Sequence, residues 1–370
     1  MDNSFECLLG KFMFEGAFSH AKTLGAGYIN ETHMLCYKHG ETVNKYTLQR
    51  INANIFKDPA KLMDNIESIT AHIRKKVIAA GGDERREGLN LVKTKDNKTF
   101  YTDENGDCYR AYIFIEAFQY DVIKNPDDAY KTGKAFGKFL KMLDDFPADT
   151  LHETIPNFHN TKKRYTDLLE TIRLDRVGRS AHVQKEIDFL ASMEKEIGSL
   201  FNLQKKGKLP IRVTHNDTKL SNVLFCKDTL QDICVIDLDT VMPGLSLYDF
   251  GDSIRSGTCT AAEDEQDLSK MGINLKLFEA YTKGYLEYTN EILWDAEKEN
   301  LAFSSKILAI ELAIRFLTDY LDDDKYFKTS YDHHNLDRCR SQIKLAQDME
   351  SKMDEMNKIV KKYTNVKGKV

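Results

Sequence analysis

Leu62, Ile66, Ile69, Ile73 and Val77 recur at helical spacing, so residues 59–80 are predicted as a helix. Asp58-Pro59 opens it and Gly81-Gly82 closes it. Strand-like stretches surround this stripe. Residues 27–37 and 45–51 flank a turn at His39-Gly40-Glu41, and residues 89–92 and 109–117 flank another at Asp103–Asp107. The first 120 residues therefore read as a small antiparallel sheet with one helix. After Tyr120 the pattern turns helical, over 128–144, 161–175, 182–204, 262–290, 300–322 and about 335–362. One stretch departs from it. Ile211–Thr214 is a short strand, His215–Asn222 a polar loop, and Val223–Phe225 and Ile233–Ile236 are strands again. A polar loop between short strands in a helical region is a common seat of catalytic groups. No internal repeat is present.

Composition narrows the class. The chain has 370 residues, 41% hydrophobic and 30% charged, with 20 Gly and 6 Pro. Two or three domains fit this length. A disordered, collagen-like or disulfide-stapled chain does not fit this composition. The seven Cys are scattered without a CxxC pair, so free thiols in a reducing cytosol are expected rather than disulfides or zinc. No run of 18 apolar residues suits a membrane span, and Met1–Glu6 lacks signal-peptide character. A cytoplasmic protein is the expectation. Residues 1–120 hold 16 basic and 16 acidic residues, and 121–351 hold 31 against 40. With no broad basic face, nucleic-acid binding is disfavoured. The Lys-rich C-terminal end reads as a solvated tail, and His333-His334 as a loop rather than a zinc site.

The string carrying chemistry is Thr214-His215-Asn216-Asp217-Thr218-Lys219-Leu220-Ser221-Asn222, followed by Ile236-Asp237-Leu238-Asp239. Phosphoryl transfer needs a carboxylate for the acceptor hydroxyl, oxygen ligands for Mg²⁺ on the phosphates, and a cation for the moving group. Asp217 suits the first role. Asn222 and Asp237 suit the second, and Lys219 the third. The spacing resembles the His-x-Asp-x-Lys-x-x-Asn loop of the protein-kinase-like superfamily, and most closely the aminoglycoside phosphotransferase family of small-molecule kinases. Asp249-Phe250-Gly251 spells a kinase motif but lies 27 residues after Asn222 at a helix start. The DFG-Asp role therefore goes to Asp237. Longer strings resemble bacterial N-acetylhexosamine 1-kinases. They include Asp237–Gly244, Tyr248–Arg255, Leu48–Asn52 and Arg315–Leu321.

The resemblance implies an α+β, two-lobed protein-kinase-like fold. Residues 1–118 would form a small antiparallel-sheet nucleotide lobe with one main helix. Residues 119–370 would form a larger, mostly helical lobe with the catalytic loop and acceptor site. The implied reaction is ATP-dependent phosphorylation of the C1 hydroxyl of N-acetylglucosamine or N-acetylgalactosamine, with Mg²⁺. Further roles follow from the same resemblance. Gly25 and Gly27 would cover phosphates, or form a plain turn. Arg50 would pair the phosphates, with Glu67 or Asp64 as its helix partner. The segment at Glu116 would hold adenine. Arg315, Tyr326 and Arg255 would face the sugar, although Arg315 could instead pair with Asp319. His215 would be a structural hydrogen bonder, and Asp249 would buttress the catalytic loop. No protein partner is required. Two rivals stand: a kinase for an aminoglycoside or amino alcohol, and a nucleotide- or sugar-sensing module without turnover.

Overall fold

A computed structural model describes residues 3–26 and 30–364. The chain divides into two compact units. The first takes Met1–Phe118, Asp145–Pro156 and Leu224–Met242, and the second takes the remainder. The first unit thus draws two later segments, one of them carrying Asp237, to the N-terminal sheet.

That unit opens with helix α1 (Asn3–Leu9), then strands β1 (Ala17–Ala26), β2 (Glu31–His39) and β3 (Thr42–Ile51), then helix α2 (Pro59–Ala79). Strands β4 (Leu91–Val92), β5 (Tyr101–Thr102) and β6 (Cys108–Ile113) follow. The order is β1-β2-β3-β6-β4 with β5 beside β6, and every pairing is antiparallel. One sheet face buries Leu35, Tyr37, Tyr46, Leu48 and Ala111 with Leu9 and Phe12 from the N-terminal segment. Helix α2 starts as predicted, since the Asp58 side chain accepts from the Lys61 amide at 3.2 Å and Pro59 takes the first turn. It buries the predicted stripe from Leu62 to Val77.

The second unit is helical: α3 (Pro126–Met142), α4 (Thr161–Leu174), α5 (Gln184–Ser192), α6 (Glu194–Ile197) and α7 (Ser199–Lys205). Strand β7 (Arg212–Thr214) leads into the polar loop; β8 (Val223–Phe225) and β9 (Asp232–Val235) fall almost wholly in the first unit, and the chain returns to the second within β10 (Met242–Gly244). Then come α8 (Ser246–Gly257), α9 (Leu275–Thr289), α10 (Asp295–Leu321), α11 (His334–Ser351) and α12 (Met353–Thr364). Helix α10 is buried along most of its length, and its buried residues include the charged Glu297, Lys306, Glu311 and Asp319. Helices α3 and α9 cross unusually closely. A Cβ at Gly284 would stand 2.1 Å from the Tyr130 carbonyl, and one at Gly133 would stand 2.2 Å from the Tyr281 carbonyl.

The α+β architecture is the expected one, with differences in its joints. The predicted helix over 182–204 is three short helices interrupted at Met193 and Gly198. The stretch from 262 becomes helical only at Leu275, where the Asn274 side chain caps the Lys276 and Leu277 amides. The last helix is broken at Lys352. Strand β1 and helix α1 were not anticipated. The helix is only seven residues long, and the strand, Ala-Phe-Ser-His-Ala-Lys-Thr-Leu-Gly-Ala, alternates too weakly to signal itself.

Candidate active site

In the second unit the loop after β7 is held by the start of α8. The Asp249 carboxylate accepts from the amides of His215 at 2.8 Å and Asn216 at 2.7 Å. Thr218 Oγ1 donates to the Asp249 carbonyl at 2.7 Å, and Ser253 Oγ donates to the Thr218 carbonyl at 2.9 Å. Burial pushes the Asp249 carboxyl up from the ordinary range, against the pull of His215 and the two amides. His215 is fully buried, with its ring edge-on to Phe136 and Phe139 at 5.6 Å each. These contacts explain the Asp-Phe-Gly string on α8. Asp249 ties the loop, Phe250 packs in the core against Tyr285 at 5.2 Å, and Gly251 lets α8 approach the Ser304 carbonyl on α10.

Asn216 sits at φ 63°, in the left-handed region that asparagine enters more readily than most non-glycine residues. It presents Asp217 at the turn. Asp217 Oδ1 lies 2.7 Å from Lys219 Nζ. Asn222 Nδ2 donates to both the Asp217 carbonyl at 2.8 Å and Oδ2 at 3.1 Å. The Asn222 amide nitrogen is therefore committed to Asp217, and its side-chain oxygen stays outside that pair. The structure brings Asp217, Lys219 and Asn222 together as their spacing predicted.

The predicted acceptor residues divide. Arg255 is buried, with Nε and Nη2 on Asp252 at 3.0 and 2.8 Å and Nη1 on Glu263 at 2.6 Å. Burial disfavours its charge, but Asp252 and Glu263 outweigh this and raise its pKa. All three of its nitrogens are engaged in these ion pairs. The Arg315 guanidinium instead lies among the rings of Phe158, Phe327 and Tyr326, at 5.5, 5.4 and 5.9 Å. Asp319 is not its partner. That carboxylate accepts from the amides of Tyr326 and Phe327 at 2.7 and 2.9 Å and so shapes the turn that carries Tyr326. Tyr326 itself is exposed.

In the first unit Asp237 also adopts a left-handed backbone, φ 62° and ψ 56°, and caps a 3₁₀ turn over Leu238–Thr240. Two residues on, Asp239 is buried. Its Oδ1 lies 2.5 Å from Arg110 Nη1, and its Oδ2 accepts from Asn30 Nδ2 at 2.6 Å. Arg110 Nε donates to Gln49 Oε1 at 3.0 Å across the β3–β6 ladder, and Gln49 Nε2 donates to Thr32 Oγ1 at 3.1 Å. Burial opposes the charge on Arg110, yet Asp239 overrides it and raises the pKa.

Alternation along β3 sends Arg50 to the other face from Gln49. There it pairs with Glu31 at 3.2 Å and Asp107 at 3.3 Å. The cation beside the Asp237–Asp239 turn is Arg110. Neither helix candidate meets Arg50: Glu67 pairs with Lys93, and Asp64 faces His152 at 3.8 Å. The Glu116 carboxylate pairs with Lys45 and with Lys227, and its carbonyl accepts from Arg86 Nη2 at 3.2 Å. Glu116 also lines a cavity of about 480 Å³ with Ile115, Lys45 and Arg86. Gly25 belongs to β1, and Gly27 lies outside the described residues.

Asn30, Gln49, Arg110, His159 and Glu311 escaped the reading of the sequence. A charged residue inside an otherwise apolar strand was the available signal for Arg110. The other four carry no local signal, because their partners lie far along the chain.

A small antiparallel sheet with one long helix, a helical second unit, and an Asp/Asn loop clamped by a helix-start Asp define a protein-kinase-like phosphotransferase. Comparison with known proteins agrees. The family described as "Phosphotransferase enzyme family" matches residues 98–284. The chain belongs to this family. Solved structures share the fold. An aminoglycoside phosphotransferase from Alicyclobacillus acidocaldarius aligns with TM-score 0.63 at 12% identity, covering 96% of each chain. A microcompartment-associated aminopropanol kinase aligns at 0.57 and 14%, covering 96% of this chain and 99% of that one. An amicoumacin kinase in complex with AMP-PNP, Ca²⁺ and its antibiotic aligns at 0.56 and 13%, covering 93% of each.

Proposed function

We propose that the chain is an ATP-dependent small-molecule kinase that phosphorylates the C1 hydroxyl of an N-acetylhexosamine, giving the sugar 1-phosphate. The observation that carries the acceptor class is the setting of Arg315. A guanidinium among three aromatic rings offers a hydrogen-bond fork to hydroxyl or acyl oxygens and apolar faces to sugar C–H groups. A fixed cation there opposes a cationic acceptor. The resemblance of Asp237–Gly244 and Tyr248–Arg255 to hexosamine kinase strings supports the same reading.

Asp217 receives the acceptor hydroxyl and takes its proton, and Lys219 offsets phosphoryl charge. Among the described residues no group of three or more His, Cys, Asp or Glu gathers for a metal. One carboxylate and one amide oxygen, Asp237 and Asn222, suit a hard cation that keeps water and phosphate ligands. When bound, Mg²⁺ would supply positive charge to offset that of the phosphates. On the sheet, Arg110 replaces Arg50 as the cation on the side of the metal turn.

One observation favours a second reading. The excess of acid over base in residues 121–351 would suit a cationic acceptor such as an aminoglycoside or amino alcohol, the classes named for the structural neighbours. The test is a product assay with Mg-ATP and N-acetylglucosamine, N-acetylgalactosamine, glucose, choline and kanamycin in parallel. The account expects ³¹P resonances coupled to the anomeric proton with the two acetylated sugars alone. Phosphorylation of kanamycin or choline, with both sugars inert, would sink the sugar assignment.

A further inference from the structure

His159 lies in the loop before α4, buried, with a role that the phosphotransfer residues above do not absorb. Its Nδ1 stands 2.8 Å from Glu311 Oε1 on α10, and its Nε2 stands 3.4 Å from the Asn216 carbonyl. Glu311 Oε2 accepts from Thr161 Oγ1 at 2.5 Å, which fixes that carboxylate. The imidazole packs against Tyr248 at 5.3 Å and Phe158 at 4.7 Å, so it has little freedom to turn.

Both neighbours of the ring are acceptors. A carboxylate and a peptide carbonyl carry no proton to give. A neutral imidazole has one N–H and can satisfy only one of them, leaving a lone pair facing the other oxygen. Both contacts hold together only when both nitrogens carry protons. The Asn216 backbone is thereby held at both of its peptide units: the N–H by Asp249, the carbonyl by His159. That carbonyl belongs to the peptide bond leading into Asp217.

We propose that His159 is a positioning residue for phosphoryl transfer, kept as an imidazolium between Glu311 and the Asn216 carbonyl so that Asp217 keeps its orientation. The inference rests on the reading of Asp217 as proton acceptor. The charges acting on the ring are consistent with it. Burial pushes the ring toward neutrality, while Glu311 on α10 and Asp252 on α8 favour the charged form and outweigh Arg315, so its pKa is raised. Asp249 on α8 also feels this ring. Glu311 is correspondingly lowered: burial would raise it, and His159 and Arg315 overcome that. By linkage, the His159 contribution is fully present below about pH 6.5 and is lost as pH rises through the raised value.

Two measurements test this on the full chain. Ring ¹⁵N–¹H correlation of the wild type over a pH series should show one histidine that stays protonated on both nitrogens above the ordinary titration near pH 6.5, absent in His159→Gln. ADP release from Mg-ATP with N-acetylglucosamine should fall on the order of 10- to 100-fold in kcat for His159→Gln, with KM for ATP little changed. The wild type should lose kcat as pH rises through the ring's titration, a limb that the Gln variant lacks. A ring that titrates at or below the ordinary histidine value, or unchanged kcat in the variant, would overturn the proposal. Turnover retained by Asp217→Asn would overturn the reading beneath it instead.

Discussion

Two non-glycine residues, Asn216 and Asp237, stand in left-handed backbone beside the groups assigned to catalysis and metal binding. Each is flanked by a buried carboxylate that meets fixed donors: Asp249 under the loop, Asp239 under the metal turn. Both turns are thus fixed by buried carboxylates paired with donors. Removing one partner of the Arg110–Asp239 pair strands a buried charge. Arg110→Met should cost about 3–5 kcal/mol in chemical denaturation, and a paired Arg110→Met/Asp239→Leu variant much less. A single variant as stable as the wild type would contradict the pairing. The meeting of Asp217, Lys219 and Asn222 was legible from their spacing, because residues a few positions apart in one short loop find one another locally. Arg110 was not legible in the same way. Which of two neighbouring strand positions faces the metal turn depends on register, and the sequence reading chose Arg50, one residue from the inward Gln49. His159 and Glu311, 152 positions apart, meet only in the folded chain.

Among the elements, the α3–α9 crossing is the most sharply defined. Gly133 and Gly137 on α3 and Gly284 on α9 each lie against a backbone carbonyl of the facing helix. A methyl group there must push two helices apart. Gly284→Ala should lower stability by about 1–3 kcal/mol, read as a fall in melting temperature, although alanine is the better helix former. An unchanged or raised melting temperature would mean that the helices stand further apart. The long helices α2, α4 and α10 were legible from their apolar stripes. The breaks at Met193, Gly198 and Lys352 were not, since apolar spacing continues across them and tertiary packing decides where a helix turns. Similarly, Asp249-Phe250-Gly251 looks like a kinase motif by letters and is instead a helix start with three separate packing duties.

For the molecule as a whole, the family and the fold set the expectation of nucleotide binding. A ligand bound by the native state at 100 times its Kd should add about 2.7 kcal/mol of stability, so Mg-ATP should raise the melting temperature. All seven cysteines are free, and a reducing agent should leave the melting temperature unchanged. A drop on reduction would reveal a disulfide. No helix among the described residues is long and apolar enough to cross a membrane. The acceptor is also testable at this scale. A neutral sugar should show a KM nearly insensitive to salt, whereas a polycation drawn by the acidic 121–351 stretch should bind more weakly as salt rises.

The central claim is that Asp217 serves phosphoryl transfer to a small acceptor. Steady-state ADP release from Mg-ATP with N-acetylglucosamine, wild type against Asp217→Asn, tests it most directly. The account predicts turnover in the wild type and a loss of about 10²- to 10⁴-fold in the variant, with Mg-ATP stabilising both proteins. Equal turnover in the two proteins would contradict it.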